Sequence, residues 1–232
     1  MRIFAISDLH LSNGVDKPMD IFGPQWVGHA DRIRKAWDQM VTPEDWVLVG
    51  GDTSWGLSLR EAQPDLDWLG ERPGTKILIK GNHCTWWSSR SKVQKVIDNS
   101  IHLLQNNAIL MDDGTEVIGT RLWDPPGAPW ADEAATRIFN REIIRLGLSI
   151  EAAGKLGGRR RIALVHYPPR YSDGRVTGAI PLLEEAGVSH CIYGHLHGKD
   201  IVHGFQGEAG GIQYFLTSCD AIGFKPLQIE LG

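Results

Sequence analysis

Five short motifs along the chain each contain residue types that can bind a divalent metal. In chain order they are Asp8-Leu9-His10, Gly51-Asp52, Gly81-Asn82-His83, His166 and Gly194-His195-Leu196-His197. Together they supply enough carboxylate, amide and imidazole groups to hold two divalent metals side by side. Two such metals can bind both the attacking and the leaving oxygen of a phosphoryl group. The motifs therefore indicate a hydrolase of phosphate esters.

Each motif directly follows a short apolar run that is typical of a β-strand. The predicted strands cover residues 2–7, 46–49, 76–80, 161–165 and 190–193. Strands that alternate with helical patterns predict an α/β fold. In an open α/β sheet, sites form outside the carboxyl ends of the strands, which is where these motifs fall.

Helical patterns lie between the strands. They cover residues 29–41, a segment starting after Ser58, residues 88–98 and residues 180–186. Ser58 and Glu61 form a capping-box pattern. Pro64 is expected to interrupt that helix or to start a second one. Gly187 is expected to end the last helix in a left-handed conformation.

The middle of the chain has a different pattern. Three strand-like pieces at 101–104, 108–111 and 116–118 predict a second, partly antiparallel sheet. Residues 124–130 contain three prolines and predict no regular structure, and residues 131–152 predict a long helix. No ligand motif falls between residues 84 and 165. We therefore expect one domain over 1–232, with an insert at about 121–160 beside the active site.

The candidate ligands are hard or borderline donors. Any single motif could belong to an ordinary loop, but five in this order at strand ends favour a metal site. Asp52 could bridge two metals through its two oxygens. A set without thiolate suits Mn²⁺, Fe²⁺, Zn²⁺ or Ni²⁺. Manganese is our first expectation, although the sequence does not choose among them.

In this order and spacing, the motifs resemble those of the calcineurin-like metallophosphoesterase superfamily, over nearly all of residues 1–219. The resemblance implies a four-layer α/β/β/α sandwich with two mixed sheets and a dinuclear centre at the carboxyl ends of strands. It implies that Asp8, His10 and His197 bind one metal. It also implies that Asn82, His166 and His195 bind the other, that Asp52 bridges them, and that His83 is catalytic and not a ligand. A looser similarity points to a bacterial subgroup of uncharacterised phosphohydrolases.

Two positions depart from the family pattern. The family's Gly-Asn-His is usually followed by Asp or Glu, but here by Cys84. A carboxylate that could support the site through hydrogen bonds is therefore missing. Cys84 is either a soft neighbour of the metals or a thiol with a packing role. Gly51-Asp52 is followed by Thr53, without the Asp-Arg-Gly of the protein Ser/Thr phosphatases, which argues against that branch.

The expected reaction is attack by a metal-bridging hydroxide on a small phosphomonoester or phosphodiester. His83 is expected to protonate the leaving group or to contact the phosphoryl oxygens. Trp55, Trp86 and Trp87 follow the motifs closely. They could form an aromatic wall for a flat leaving group, or they could pack loops against the core. Arg170, and after it Arg121, could bind the substrate phosphate, or either could be an exposed surface arginine.

Composition limits the alternatives. One alternative function is a nuclease on the same centre, but a net charge of −4 argues against a nucleic-acid partner. A silent binding scaffold is another, yet such a protein would be expected to lose ligands. Three cysteines without paired spacing, no signal-peptide pattern and no membrane-length apolar run favour a cytoplasmic protein without membrane contact. The sequence indicates no oligomeric state.

Overall fold

The computed structural model describes residues 1–128 and 131–231, and the chain forms two compact units. Unit 1 comprises Met1–Leu103 and Thr217–Gly232, and unit 2 comprises Leu104–Leu216. The strands in the described residues are β1 Ile3–Ile6, β2 Trp46–Val49, β3 Thr75–Leu78, β4 Ile101–Leu103, β5 Ile109–Leu110, β6 Thr115–Thr120, β7 Arg160–Val165, β8 Val188–Tyr193, β9 Gly207–Ala209, β10 Ile212–Leu216 and β11 Leu227–Ile229.

The α-helices in the same residues are α1 His29–Met40, α2 Leu59–Gly70, α3 Arg90–Val93, α4 Glu133–Ala153 and α5 Ala179–Glu185. Short 3-10 helices cover Met19–Phe22, Pro24–Trp26 and Gly198–His203. Among the residues that the structure describes, none of the helices combines the length and apolar character needed to span a membrane.

The sheet of unit 1 has the order β11-β1-β2-β3-β4. The strands β1 to β4 are parallel, and β11 pairs with β1 in the antiparallel direction. Every residue of β1 and β2 is buried, as expected for parallel strands covered on both faces. Ile33 and Trp37 of α1 and Leu66 of α2 belong to the same apolar core. The carboxyl ends of β1, β2 and β3 are therefore held side by side.

The sheet of unit 2 has the order β5-β6-β7-β8-β10-β9. Its four inner strands are parallel, whereas β5 and β9 at the edges are antiparallel to their neighbours. The helix α4 connects the neighbouring strands β6 and β7. Ser149 of α4 receives a hydrogen bond from the Gly119 N–H and donates to the carbonyl of Asn107. The carboxyl ends of β7 and β8 lie next to each other.

The five strands predicted in front of the motifs are confirmed as β1, β2, β3, β7 and β8. The second sheet with antiparallel pairs is also confirmed. The assignment of residues 101–104 to that sheet was wrong, because β4 pairs with β3 in unit 1. A three-residue strand carries no local signal that identifies its partner.

The capping box of α2 is confirmed. The Glu61 N–H donates to Ser58 Oγ, and Glu61 Oε2 accepts from the N–H groups of Leu57 and Ser58. The prediction for Pro64 was wrong, since it lies inside one continuous helix. Pro64 removes only the bond to the carbonyl one turn earlier. Buried residues on both sides of it, Ala62 and Leu66, keep the helix packed.

The remaining predictions had mixed outcomes. The helix over 88–98 was too long, because α3 ends at Val93 and turns follow. The long helix is confirmed as α4, and Gly187 has the expected left-handed φ of 66° after α5. Residues 124–128 contain no helix or strand. Residues 129–130 lie outside the described range, and the insert at 121–160 stays a prediction.

Candidate metal centre

Four of the candidate ligands have a backbone conformation that non-glycine residues seldom adopt. The φ angles are 60° for Asp8, 45° for His10, 47° for Asp52 and 72° for His195. Left-handed conformations cost L-residues about 1–2 kcal/mol each. Such strain concentrates at functional sites, where the surrounding structure holds it in place. Here the Asp8 N–H donates to the Gly51 carbonyl and the His10 N–H to the Asp52 carbonyl, both at 2.9 Å.

Asp8 is fully buried just beyond the end of β1. Its Oδ2 accepts hydrogen bonds from the hydroxyls of Ser7 and Ser218, and its carbonyl accepts from Cys219 Sγ at 3.0 Å. Its Oδ1 lies 4.0 Å from Nε2 of His10. The hydroxyls thus fix one oxygen of the carboxylate, while the other faces an imidazole.

A turn formed by residues 81–84 encloses Asp52. The His83 N–H donates to Asp52 Oδ1 at 2.8 Å, and Cys84 Sγ lies 3.8 Å from the same oxygen. A Cβ added to Gly81 would lie 2.1 Å from it, so only glycine allows this close approach. Asn82, half-buried, belongs to the same turn. The Gly81-Asn82-His83 motif, which follows β3, therefore positions the carboxylate of Asp52, which follows the neighbouring strand β2.

Asp8 and Asp52 together fit a divalent cation. Their ligand oxygens lie within 4.8 Å of each other, and their side chains are 0% and 1% exposed. Two ionised carboxylates that close repel each other in a buried site, so one is driven toward protonation unless a cation lies nearby. A divalent metal offsets this repulsion. Adjacent carboxylate and imidazole donors match the preference of first-row divalent metals.

His83 is exposed beside an aromatic cluster. Its ring centroid lies 4.6 Å from that of Trp55 and 5.7 Å from that of His10. Trp55 stacks on His10 at 4.6 Å, and the Lys17 ammonium lies 3.3 Å from a Trp55 ring centroid. Trp55 therefore lies beside two candidate site residues, and its role as a wall for a flat leaving group stays a prediction.

Trp86 and Trp87 instead pack against the core, which was the second of the two interpretations. Trp86 and Trp87 are 2% and 1% exposed and belong to the apolar core of unit 1. The sequence could not distinguish an indole beside the site from an indole in the core, because all three tryptophans lie within four residues of a motif.

Cys84 is fully buried in the same core. Burial, and after it the negative charge of Asp52, raises the pKa of the Cys84 thiol to about 12. The thiol is therefore neutral near pH 7. This favours the packing interpretation of Cys84 over a thiolate ligand.

Unit 2 brings His166 and His195 together. His166 is fully buried after β7, and its carbonyl accepts from the Gly194 N–H at 3.0 Å, which joins the ends of β7 and β8. The two imidazole centroids lie 5.2 Å apart. His195 also stacks on Tyr167 at 3.8 Å. His197, half-buried, follows two residues later.

A cavity of about 480 Å³ lies in unit 2 beside these histidines. Its lining residues are Asp124, Tyr171, Arg175, His195, Leu196, His197, Asp200 and His203. A hydrogen bond joins two segments of its wall, since the N–H of Ser172, next to Tyr171, donates to the His203 carbonyl at 3.0 Å. The Arg175 guanidinium lies 4.6 Å from the Tyr171 ring centroid and 2.7 Å from Asp173 Oδ2.

Sequence reasoning missed Arg175 and Tyr171, because neither stands in a motif. Burial, and after it the charge of Asp124, raises the pKa of the Tyr171 hydroxyl to about 12. That hydroxyl is therefore neutral at physiological pH. The only available signal was their position in the loop after His166.

The two arginines proposed for substrate lie against other groups. The Arg170 guanidinium lies 5.5 Å from the ring centroid of Phe205 and 5.7 Å from that of Tyr214, and Arg170 does not line the described cavity. Arg121 forms an ion pair with Glu142 at 3.3 Å and packs on Trp123. The substrate role of Arg170 stays a prediction.

Comparison with known proteins identifies a family. The sequence profile of calcineurin-like phosphoesterases matches residues 1–199. The Gene 66 protein of Mycobacterium phage D29 is 40% identical over 84 residues, which is 35% of this chain and 40% of that protein. The Gene 66 protein of Mycobacterium phage L5 is 38% identical over 79 residues, 33% of this chain and 37% of that protein. The chain thus spans less than half the length of these curated relatives.

Solved structures share the fold at low sequence identity. Protein TT1561 of Thermus thermophilus has a TM-score of 0.62 and 13% identity, covering 100% of this chain and 99% of that one. A protein of unknown function from Aquifex aeolicus, AQ665, has a TM-score of 0.52 and 16% identity, covering 98% and 95%. Both similarities concern the fold alone. The two mixed sheets are consistent with the sandwich fold of this family.

Proposed function

Because the chain belongs to the calcineurin-like phosphoesterase family, we propose that it hydrolyses a small phosphate ester with two divalent metals. Family membership implies metal-dependent phosphoester hydrolysis. The pair of buried carboxylates Asp8 and Asp52, with oxygens within 4.8 Å of each other, carries the proposal. Such a buried pair beyond the strand ends would be unfavourable unless it served a cation.

The proposed ligands follow the family pattern. One metal is assigned to Asp8, His10 and His197, the other to Asn82, His166 and His195, with Asp52 as the bridge. The hydrogen bonds to Asp8 and Asp52 support the roles of these two carboxylates, because they orient each one before a cation arrives. Manganese remains the first choice, with iron, zinc and nickel as alternatives.

The metals would supply Lewis-acid stabilisation of the phosphoryl oxygens and an activated water. His83 protonates the leaving oxygen. Its exposed imidazole is accessible to substrate, and contacts with Trp55 and His10 limit its orientations. An imidazole with a pKa near 6.5 can donate a proton near neutral pH.

The substrate is proposed to be a small ester, either a monoester or a diester. The cavity of about 480 Å³ beside His195 and His197 has a volume typical of small-molecule sites. Arg175 and His203 in its wall can contact an anionic or polar leaving group, and Tyr171 offers an aromatic face. A phosphoprotein or long duplex DNA would need a larger open surface.

The proposed setting is cytoplasmic. Cys84, Cys191 and Cys219 are all free and buried, which is compatible with a reducing compartment. We propose no nucleic-acid partner, since the net charge is −4.

A metal-by-substrate screen tests the proposal. Protein freed of metal with a chelator is supplied with Mn²⁺, Ni²⁺, Zn²⁺ or Fe²⁺ and assayed on aryl monoesters, aryl diesters, nucleotides, a phosphopeptide and duplex DNA at fixed salt. We expect metal-dependent hydrolysis with the highest kcat/KM on small esters. Preference for the phosphopeptide or DNA would contradict the small-ester proposal, and no hydrolysis with any metal would contradict the enzymatic one.

A further inference from the structure

We propose that Cys84 is a positioning residue for Asp52, acting through the contacts of its sulfur with Asp52 Oδ1 and with the Gly81 N–H. This inference rests on the proposed function and adds a role for a residue outside the ligand set. The supporting observations lie within unit 1.

The first observation is that the Cys84 sulfur contacts both Gly81, at the start of the turn, and Asp52, which the turn encloses. Cys84 Sγ accepts a hydrogen bond from the Gly81 N–H at 3.3 Å and lies 3.8 Å from Asp52 Oδ1, to which it donates. The same oxygen accepts the His83 N–H at 2.8 Å. Asp52 Oδ1 therefore has two donors from one turn, and the sulfur ties that turn together.

The second observation is the packing around the contact. Cys84 and Gly81 are buried, and Asp52 is 1% exposed. The backbone of Gly81 packs directly on the carboxylate, since a Cβ at position 81 would lie only 2.1 Å from Asp52 Oδ1. The carboxylate has little freedom to rotate, and the Cys84 sulfur is one of the groups of this turn that hold Oδ1 in place.

Calorimetric titration of Mn²⁺ into chelator-treated protein tests the role. Cys84→Ala removes the donor and acceptor, and loss of such a supporting contact typically weakens metal binding by about 10–100-fold. Cys84→Ser keeps a group that can donate and accept, so it should recover most of the affinity. Cys191→Ala is the matched control, because Cys191 is an equally buried thiol within β8. It should leave the affinity for Mn²⁺ unchanged.

Urea unfolding in the presence of EDTA shows which variants fold. If Cys84→Ala does not fold, Cys84→Val replaces it, since valine fills the space without an S–H. Wild-type affinity in the alanine or valine variant would overturn the inference, as would serine binding Mn²⁺ as weakly as alanine. An equal loss in Cys191→Ala would also overturn it, by showing a general packing effect. If the wild-type protein binds none of Mn²⁺, Ni²⁺, Zn²⁺ or Fe²⁺, the proposed function itself fails.

Discussion

Replacing Gly81 by alanine should place a methyl group against Asp52 and so disturb the proposed metal centre. The new Cβ would lie 2.1 Å from Asp52 Oδ1 and 2.5 Å from the Asp52 backbone nitrogen. Ordinary carbon contacts are about 3.5 Å or more, so an atom must move by roughly 1 Å. The φ of Gly81 is not in the left-handed region. The effect is therefore steric and does not come from backbone strain.

The size of the effect of Gly81→Ala depends on how far Asp52 and residue 81 can move apart. Asp52 and Gly81 are both buried, so neither can turn outward to relieve the contact. Overpacking of this kind costs about 1–3 kcal/mol of unfolding free energy. A metal ligand must be held within about 0.5 Å of its working position. We therefore expect the affinity for Mn²⁺ to fall by about 10-fold or more in Gly81→Ala.

Gly147→Ala provides the matched control. Gly147 lies inside α4, and a Cβ there would meet nothing within 4 Å. Alanine in a helix interior stabilises by about 0.5–1 kcal/mol relative to glycine. Mn²⁺ titration and urea unfolding in EDTA measure both effects. A Gly81→Ala protein with wild-type stability and wild-type Mn²⁺ affinity would refute the reasoning about this contact.

Three further predictions address the roles of single residues. His83→Ala should retain Mn²⁺, measured by metal analysis, but lower kcat by roughly 100-fold or more as a lost general acid, whereas Asp52→Ala should lose Mn²⁺. Equal loss of metal in both would make His83 a ligand. Burial lowers the pKa of Lys76 from 10.5 to about 8. Between these values the unfolded chain binds more protons than the folded one, so stability should rise with pH from about 8 to 10.5. Urea unfolding should show a smaller rise for Lys76→Met, and an equal rise would contradict the assignment. Ser58→Ala should cost about 1 kcal/mol by removing the cap of α2, and a cost near zero by the same measurement would refute the capping role.

Much of the site could be predicted from local sequence. Asp8, Asp52 and His166 each follow an apolar run, and such runs form strands whose ends are fixed by the sheet. The residue types and their order were enough to indicate a metal-dependent phosphoesterase. The capping box at Ser58 could also be predicted from the sequence, since both of its partners lie within four residues of each other.

Other features were decided only by tertiary structure. Residues 101–103 join the sheet of unit 1 because of their pairing with β3, which no pattern within three residues specifies. Trp55 lies against His10, whereas Trp86 and Trp87 pack into the core. Their distances from the motifs along the chain are nearly the same.

The partners of Cys84 and the wall of the cavity depend on contacts between distant segments. Cys84 meets Asp52 from 32 residues away, and Tyr171 and His203 share one cavity across a similar separation. Local periodicity reports which face of an element is buried, but it does not report what that face packs against. The sequence alone thus determined which residues could do the chemistry. The tertiary structure decided which side chains hold them in position, because burial and hydrogen-bond partners arise from long-range packing.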